Sequence, residues 1–128
     1  MSIKIGIVDD SPAIRKALRL CIESNTDWQV CGEGDDGEAA VNLVQRQNPD
    51  LLILDLSMPR MNGLDAARKI ASMAPKNGII LFTIYASEEL QRLAKNVGIR
   101  AIVPKTASGA LLRLLAIAKE MSHVSHAA

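Results

Sequence analysis

Five short apolar runs punctuate the chain, and each is followed by a stretch in which apolar residues recur every three or four positions. The runs are Ile3 to Val8, Trp28 to Gly32, Leu51 to Leu54, Ile79 to Phe82 and Ala101 to Val103. A short apolar run bounded by turn residues predicts a strand covered on both faces. Trp28 to Gly32 alternates only weakly, which predicts an edge strand. The stretches between carry helix start signals. Ser11-Pro12 offers an N-cap with proline at the first helical position; Ile14, Leu18, Cys21 and Ile22 then share a face, and Asn25-Thr26-Asp27 stops the helix. Asp35-Asp36-Gly37-Glu38 opens a second helix with Ala40, Val41, Leu43 and Val44 as its buried stripe, ending before Asn48-Pro49. A third runs from about Leu64 to Met73 with Leu64, Ala67, Ile70 and Ala71 inward, and Pro75 to Gly78 forms the loop after it. Ser87 with Glu88-Glu89 starts a fourth, which carries Leu90, Leu93 and Val97 and ends at Gly98. Ser108-Gly109 starts the last, through about Met121. The tail 122–128 shows no pattern and is expected to be flexible. Five alternations of strand and helix predict one α/β domain over residues 1–121, with a parallel sheet and helices on both faces.

Composition narrows the function. The 128 residues are 48 % hydrophobic and 23 % charged, enough apolar material for a core. The net charge is +1 and no basic run occurs, so the chain itself is not expected to bind nucleic acid. Met1-Ser2-Ile3-Lys4 lacks the layout of a signal peptide, and no apolar stretch reaches bilayer length; a cytoplasmic protein with no membrane contact is expected. Cys21 and Cys31 sit among apolar neighbours and read as reduced core residues. Trp28, Tyr85 and Phe82 are the only aromatics, too few for a flavin sandwich or a base-stacking platform.

The candidate chemistry is concentrated at the strand ends. The first strand ends in Asp9-Asp10, the third in Asp55, the fourth in Thr83 and the fifth near Lys105. In a parallel sheet these ends share one edge, the edge at which open α/β sheets bind ligands. Three carboxylates gathered there repel one another and call for a cation. Oxygen-only ligands favour Mg²⁺ over zinc. A lysine and a threonine hydroxyl on the same rim suit the oxygens of a phosphoryl group. Taken singly, each residue has a plainer reading: Asp9-Asp10 as a helix cap, Thr83 as a turn residue, Lys105 as a solvated charge, and His123 and His126 as inert tail residues.

The acidic pair Asp9-Asp10, the run Asp55-x-x-Met58-Pro59-x-Met61-Asn62-Gly63, Thr83 and Lys105, in this order and at the ends of these strands, resemble the receiver domain of bacterial two-component response regulators. The resemblance spans residues 3–121. It implies a flavodoxin-like (βα)5 doubly wound sheet of strand order 2-1-3-4-5. It implies that Asp55 is the phosphoacceptor for a sensor histidine kinase. Asp10, Asp55 and the backbone carbonyl of Ser57 would hold Mg²⁺, with Asp9 acting through a water. Lys105 would pair with one phosphoryl oxygen, and Thr83 would hydrogen-bond another and carry the signal. Such a chain is a phosphorylatable switch and not a turnover enzyme. A hydrolase using aspartyl-phosphate chemistry would favour a second Asp where Ser57 stands. A flavodoxin-like cofactor carrier would need a Ser/Thr-rich phosphate loop that this chain lacks. A stand-alone or degenerate receiver acting through protein contacts is the alternative kept open.

Cys31-Gly32-Glu33-Gly34, Asp36-Gly37-Glu38-Ala39-Ala40 and Lys105-Thr106 are similar to the receivers that carry a helix-turn-helix output domain. Transcription regulation would then belong to an output domain outside these residues. Three positions depart from the common receiver pattern. Ile102 stands where many receivers place Tyr or Phe, Pro104 precedes the lysine in place of a proline after it, and Ile84 is bulky where a small residue is usual. Ile84, with Ser57 and Tyr85 at the mouth, is expected to slow loss of the phosphoryl group. The last helix spreads Leu111, Leu112, Leu114, Leu115, Ala116, Ile117 and Ala118 around more than half its circumference. Either it is well buried at the sheet edge or it forms a homodimer or output surface. Leu112, Ala116, Tyr85 and Ile102 are the candidate interface residues.

Overall fold

The structure, a computed structural model, describes residues 3–73 and 77–126. Five strands form one parallel sheet in the order β2-β1-β3-β4-β5. They are β1 (Lys4–Val8), β2 (Gln29–Gly34), β3 (Leu51–Leu54), β4 (Gly78–Thr83) and β5 (Ala101–Pro104). Between and after them run α1 (Pro12–Asn25), α2 (Gly37–Gln47), α3 (Gly63–Met73), α4 (Glu88–Asn96) and α5 (Ala110–His126).

The central strands are apolar at every position because both faces are covered. Leu51, Leu52, Ile53 and Leu54 are all buried, and successive side chains supply opposite layers. Leu52 and Leu54 pack with Val8, Leu81, Ala40, Val44, Ala67, Ile70 and Leu90. Leu51 and Ile53 pack with Ile5, Ile7, Leu18, Ile22, Phe82 and Leu114. Each such side chain contributes about 1.5–3 kcal/mol on leaving water. The edge strand β2 is only partly buried, as its weak alternation predicts.

Local chemistry sets the helix ends. The Ser11 hydroxyl accepts the Ile14 N–H at 3.3 Å, and Pro12 comes next in the chain. Asp36 caps α2 by accepting the Ala39 N–H at 2.7 Å, and the helix closes on Asn48 in the left-handed region. Asn62 accepts the Asp65 N–H at 2.8 Å at the start of α3, and Ser87 accepts the Leu90 N–H at 3.0 Å at the start of α4.

The helix faces differ from expectation in a few places. In α3, Ala66 is buried while Leu64 and Ala71 are only partly covered. In α4 the second buried residue is Ala94, and Leu93 faces outward. A small side chain lets a helix sit close to the sheet, and apolar periodicity alone ranks it below Leu. The fifth helix continues past Met121 to His126, so residues 122–126 join it as one more turn. Residues 75 and 76 of the expected Pro75 to Gly78 loop, residues 127–128 of the expected tail, and the side chains of His123 and His126 lie outside the described residues. Most of the broad apolar surface of α5 is spent on burial: Leu114, Leu115 and Ala118 are buried and Leu111 and Ile117 half-buried, leaving Leu112 and Ala116 outside. Among the described residues no helix is long and apolar enough to cross a membrane.

Candidate phosphoryl and cation site

Parallel register carries the ends of β1, β3, β4 and β5 to one edge. Val8 pairs with Leu54, Leu54 with Leu81, and Thr83 with Pro104. The residues just beyond these strands therefore meet. Asp9, Asp10 and Asp55 each bring a carboxylate oxygen within 4.8 Å of the others. Asp9 and Asp55 are buried and Asp10 is exposed, so the cluster opens to solvent on the Asp10 side.

The backbone around the cluster is closely specified. The Asp9 N–H donates to Gly34 and the Asp55 N–H to Val8, which continues the sheet by one residue on each strand. The Ser11 N–H donates to Asp9 Oδ1 at 2.9 Å, and the Leu56 N–H donates to Asp55 Oδ1 at 2.8 Å. Gly63 presses against the chain here: a Cβ at this position would stand 2.1 Å from the Asp55 carbonyl oxygen. Its N–H donates to the Leu56 carbonyl at 2.8 Å and closes the loop after Asp55.

Lys105 supplies the positive charge. Its Nζ lies 2.7 Å from Asp9 Oδ2 and 3.4 Å from Asp55 Oδ1, and 5.8 Å from the centre of the Phe82 ring. The Lys105 N–H donates to the Thr83 carbonyl at 2.9 Å, so lysine and threonine sit side by side. Thr83 is fully buried, and its Oγ1 accepts the Tyr85 N–H at 3.1 Å. One ammonium shared by two buried carboxylates leaves the site short of positive charge. Burial, and then the neighbouring Asp9 carboxylate, pushes the Asp55 carboxyl above its ordinary value, with Lys105 and the Leu56 N–H pulling back only in part. A compact set of oxygen donors with excess negative charge fits a hard divalent cation such as Mg²⁺.

Of the residues singled out from sequence, the fold brings together Asp9, Asp10, Asp55, Thr83 and Lys105. Ser57 stands exposed two positions after Asp55, on the same loop. Ile84 and Tyr85 are exposed on the loop after β4, each at 55 %. Ile102 is half-buried in β5 against the α2–α4 layer. Leu112 and Ala116 face out from α5, and Leu112 lines a surface groove that reaches Lys105. Pro104 is the last residue of β5, and among the described residues no peptide bond is cis. Cys21 and Cys31 are free thiols and half-buried.

Arg15 is a site neighbour that the sequence pattern did not single out. Its Nη1 donates to the Asp9 carbonyl at 2.6 Å, and its Nε lies 3.3 Å from Glu33 on β2. It ties the acidic loop to the edge strand. Its position one turn after the N-cap Ser11 was the available signal, since that turn overhangs the end of β1.

The sequence model of the response regulator receiver domain matches residues 5–116, and the chain belongs to that family. A protein-glutamate methylesterase/protein-glutamine glutaminase of Pyrococcus horikoshii is 37 % identical over 121 residues, covering 93 % of this chain and 33 % of that protein. The uncharacterized transcriptional regulatory protein YhcZ of Bacillus subtilis is 37 % identical over 98 residues, covering 77 % of this chain and 46 % of that protein. The chain thus spans less than half the length of these two curated relatives. Among solved structures, the response regulator domain of Thermotoga maritima CheB superposes with a TM-score of 0.84 at 26 % identity, covering 96 % of both chains. A LuxR-family two-component response regulator from Aurantimonas superposes with a TM-score of 0.86 at 28 % identity, covering 96 % of this chain and 87 % of that one. The flavodoxin-like sheet order and the receiver family expected from the motifs are both borne out.

Proposed function

We propose that this receiver domain is a phosphorylation switch in which Asp55 accepts a phosphoryl group from the phosphohistidine of a sensor kinase. The observation that carries the reading is the meeting of Asp9, Asp10 and Asp55 with Lys105 beside Thr83 at one sheet edge. An Asp55 carboxylate oxygen attacks phosphorus. The new O–P bond forms as the N–P bond breaks, and the imidazole leaves with the electron pair. Such transfers need positioning and charge neutralisation more than covalent help from the protein.

Asp10, Asp55 and the Ser57 carbonyl would hold Mg²⁺, with Asp9 one water removed. When bound, the ion neutralises charge on the phosphoryl oxygens and on the carboxylates around them. Lys105 leaves its shared position between Asp9 and Asp55 to pair with a phosphoryl oxygen. Thr83 turns its hydroxyl toward another, which frees the Tyr85 N–H it now accepts. That exchange links chemistry at Asp55 to the exposed Ile84–Tyr85 loop. The added charge of about −1.5 to −2 is enough to rebias a two-state surface.

The output is regulation of transcription through a unit outside these residues. The identity to transcriptional regulatory proteins of Bacillus, such as YhcZ, supports it. Methylesterase relatives of equal identity make control of an attached enzyme the second reading.

The test is an intact-mass assay of the chain with Mg²⁺ and acetyl phosphate. Gain of one phosphoryl mass, lost in Asp55→Asn and without Mg²⁺, is the expected result. A folded, Mg²⁺-binding chain that gains no mass from acetyl phosphate or from a panel of autophosphorylated kinases contradicts the proposal.

A further inference from the structure

The loop from Leu56 to Asn62 carries Ser57, whose carbonyl the receiver reading makes a metal ligand, and it is exposed over much of its length. Its near end is closed by the Gly63 N–H on the Leu56 carbonyl. Its far end is fastened to α2, an element the reading otherwise leaves without a task. The Gly37 N–H donates to the Met61 carbonyl at 2.9 Å, and a Cβ on Gly37 would stand 2.3 Å from that oxygen. Beside this contact Arg60 Nε donates to Asp36 Oδ2, and Arg60 Nη2 lies 3.8 Å from Asp35.

The Arg60 side chain is 56 % exposed, and two features tie the ion pair into the fold. Asp36 is buried, and its other oxygen caps α2, so the anchor is itself held rigid. Arg60 has φ of 66°, a left-handed conformation that a residue with a Cβ adopts only where its surroundings impose it. From this backbone the guanidinium turns back to Asp36 on the α2 side. The Leu56 N–H, at the other end of the same loop, donates to Asp55 Oδ1. A shift of the loop therefore reorients both the Ser57 carbonyl and the reactive carboxylate.

We propose that Arg60 and Asp36 form a clamp that positions the Asp55–Gly63 loop for Mg²⁺, an inference that rests on the receiver reading of the site. Arg60 touches neither metal nor phosphoryl group and acts through the loop, as a positioning residue. Outer partners of this kind set metal affinity by fixing ligand orientation.

Charge and positioning predict opposite signs here. Arg60 is a cation on the loop of a cation site, so its removal tightens Mg²⁺ binding if charge alone matters. If it positions the loop, removal weakens binding. Arg60→Gly is the suitable variant, because glycine takes the φ of 66° without strain. The experiment is calorimetric titration of Mg²⁺ into wild type, Arg60→Gly and Arg60→Lys, with hydrogen exchange of the metal-free proteins. The expected result is a Kd raised about tenfold in Arg60→Gly, and less in Arg60→Lys, which keeps the charge but loses the planar fork. The Leu56 and Gly63 amides exchange faster in both, by more than any accompanying fall in the unfolding midpoint accounts for. Mg²⁺ affinity in Arg60→Gly equal to or tighter than wild type overturns the clamp. Should Arg60→Gly fail to fold, Arg60→Lys decides: weaker binding supports the clamp and unchanged binding overturns it. A wild-type chain that binds no Mg²⁺ overturns the receiver site, and the clamp with it, which separates the two failures.

Discussion

Replacing Lys105 with methionine removes the ammonium and keeps most of the side chain's length. In the fold the Lys105 side chain is 14 % exposed, its ammonium lies 2.7 Å from an Asp9 carboxylate and 3.4 Å from that of Asp55, and those two side chains are 2 % and 7 % exposed. With an effective dielectric of about 20, the gross attractions are about 6 and about 5 kcal/mol. Desolvation of the three groups offsets most of this, and removing one member of a buried pair costs about 3–5 kcal/mol in measured cases. The partial exposure of Lys105 and the open Asp10 side place the expected loss near the low end. For a chain of 128 residues, about 3 kcal/mol lowers the thermal midpoint by about 11 °C.

The sign of the pH dependence is set by the carboxylates left behind. The Asp55 carboxyl is already pushed up by burial and by Asp9, and losing Lys105 pushes it further. The penalty belongs to the ionised form. It is present in full above the folded pKa and is relieved as pH falls through it, so the gap between variant and wild type narrows on acidification. Mg²⁺ also narrows it, by supplying the lost charge to the folded state alone. The assay is thermal unfolding monitored by circular dichroism, in EDTA and in Mg²⁺, at neutral and mildly acidic pH. A midpoint in EDTA at neutral pH within a degree or two of wild type would show Lys105 to be a solvated surface charge and would refute the reasoning.

Asp55→Asn is expected to raise the unfolding midpoint of the metal-free protein at neutral pH. The raised Asp55 carboxyl means that its charge costs stability above the folded pKa; the advantage of Asn fades below the ordinary carboxylate range, and thermal scans across pH check both ends. Mg²⁺ should stabilise wild type and leave this variant nearly unmoved. Ile84→Ala is expected to shorten the lifetime of the phosphorylated form several-fold, read as loss of phosphoryl mass over time; an unchanged lifetime removes Ile84 from the site. Leu112→Arg, at a position 65 % exposed, is expected to keep the fold and to weaken self-association of the phosphorylated chain. An unchanged sedimentation profile would end the case for a dimer through α5.

Much of the fold is legible in the sequence because the signals are local and agree with one another. Leu51 to Leu54 is apolar at every position and bounded by turn residues, which marks a short strand covered on both faces, and its end fixes where Asp55 emerges. Ser11-Pro12 and Ser87 cap the helices they announce. The meeting of Asp9, Asp10, Asp55, Thr83 and Lys105 is a consequence of the parallel sheet, since register then decides which residues share an edge. The features that sequence does not reveal depend on contacts between segments distant along the chain. Arg60 reads as a loop cation, and only the fold shows it bent back through a left-handed backbone to a buried Asp36. Arg15 reads as one more polar position on α1 until β1 is seen to end beneath it. The inward face of α3 differs at Ala66 because a close helix–sheet approach selects a small side chain, and hydropathy favours a large one. The fifth helix is longer than its pattern because residues 122–126 carry little apolar periodicity and extend a helix already anchored by Leu114, Leu115 and Ala118.

The central claim is that Asp55 itself forms the aspartyl phosphate. Borohydride reduces such an acyl phosphate to homoserine, and trypsin releases the segment Gln47–Arg60, which holds Asp50 as well as Asp55. Asp50 lies exposed at the opposite end of β3 and serves as an internal control. Fragmentation of that peptide after phosphorylation with Mg²⁺ and reduction is expected to show homoserine at position 55 and intact aspartate at position 50. Homoserine at any other aspartate, with position 55 unchanged, would contradict the claim.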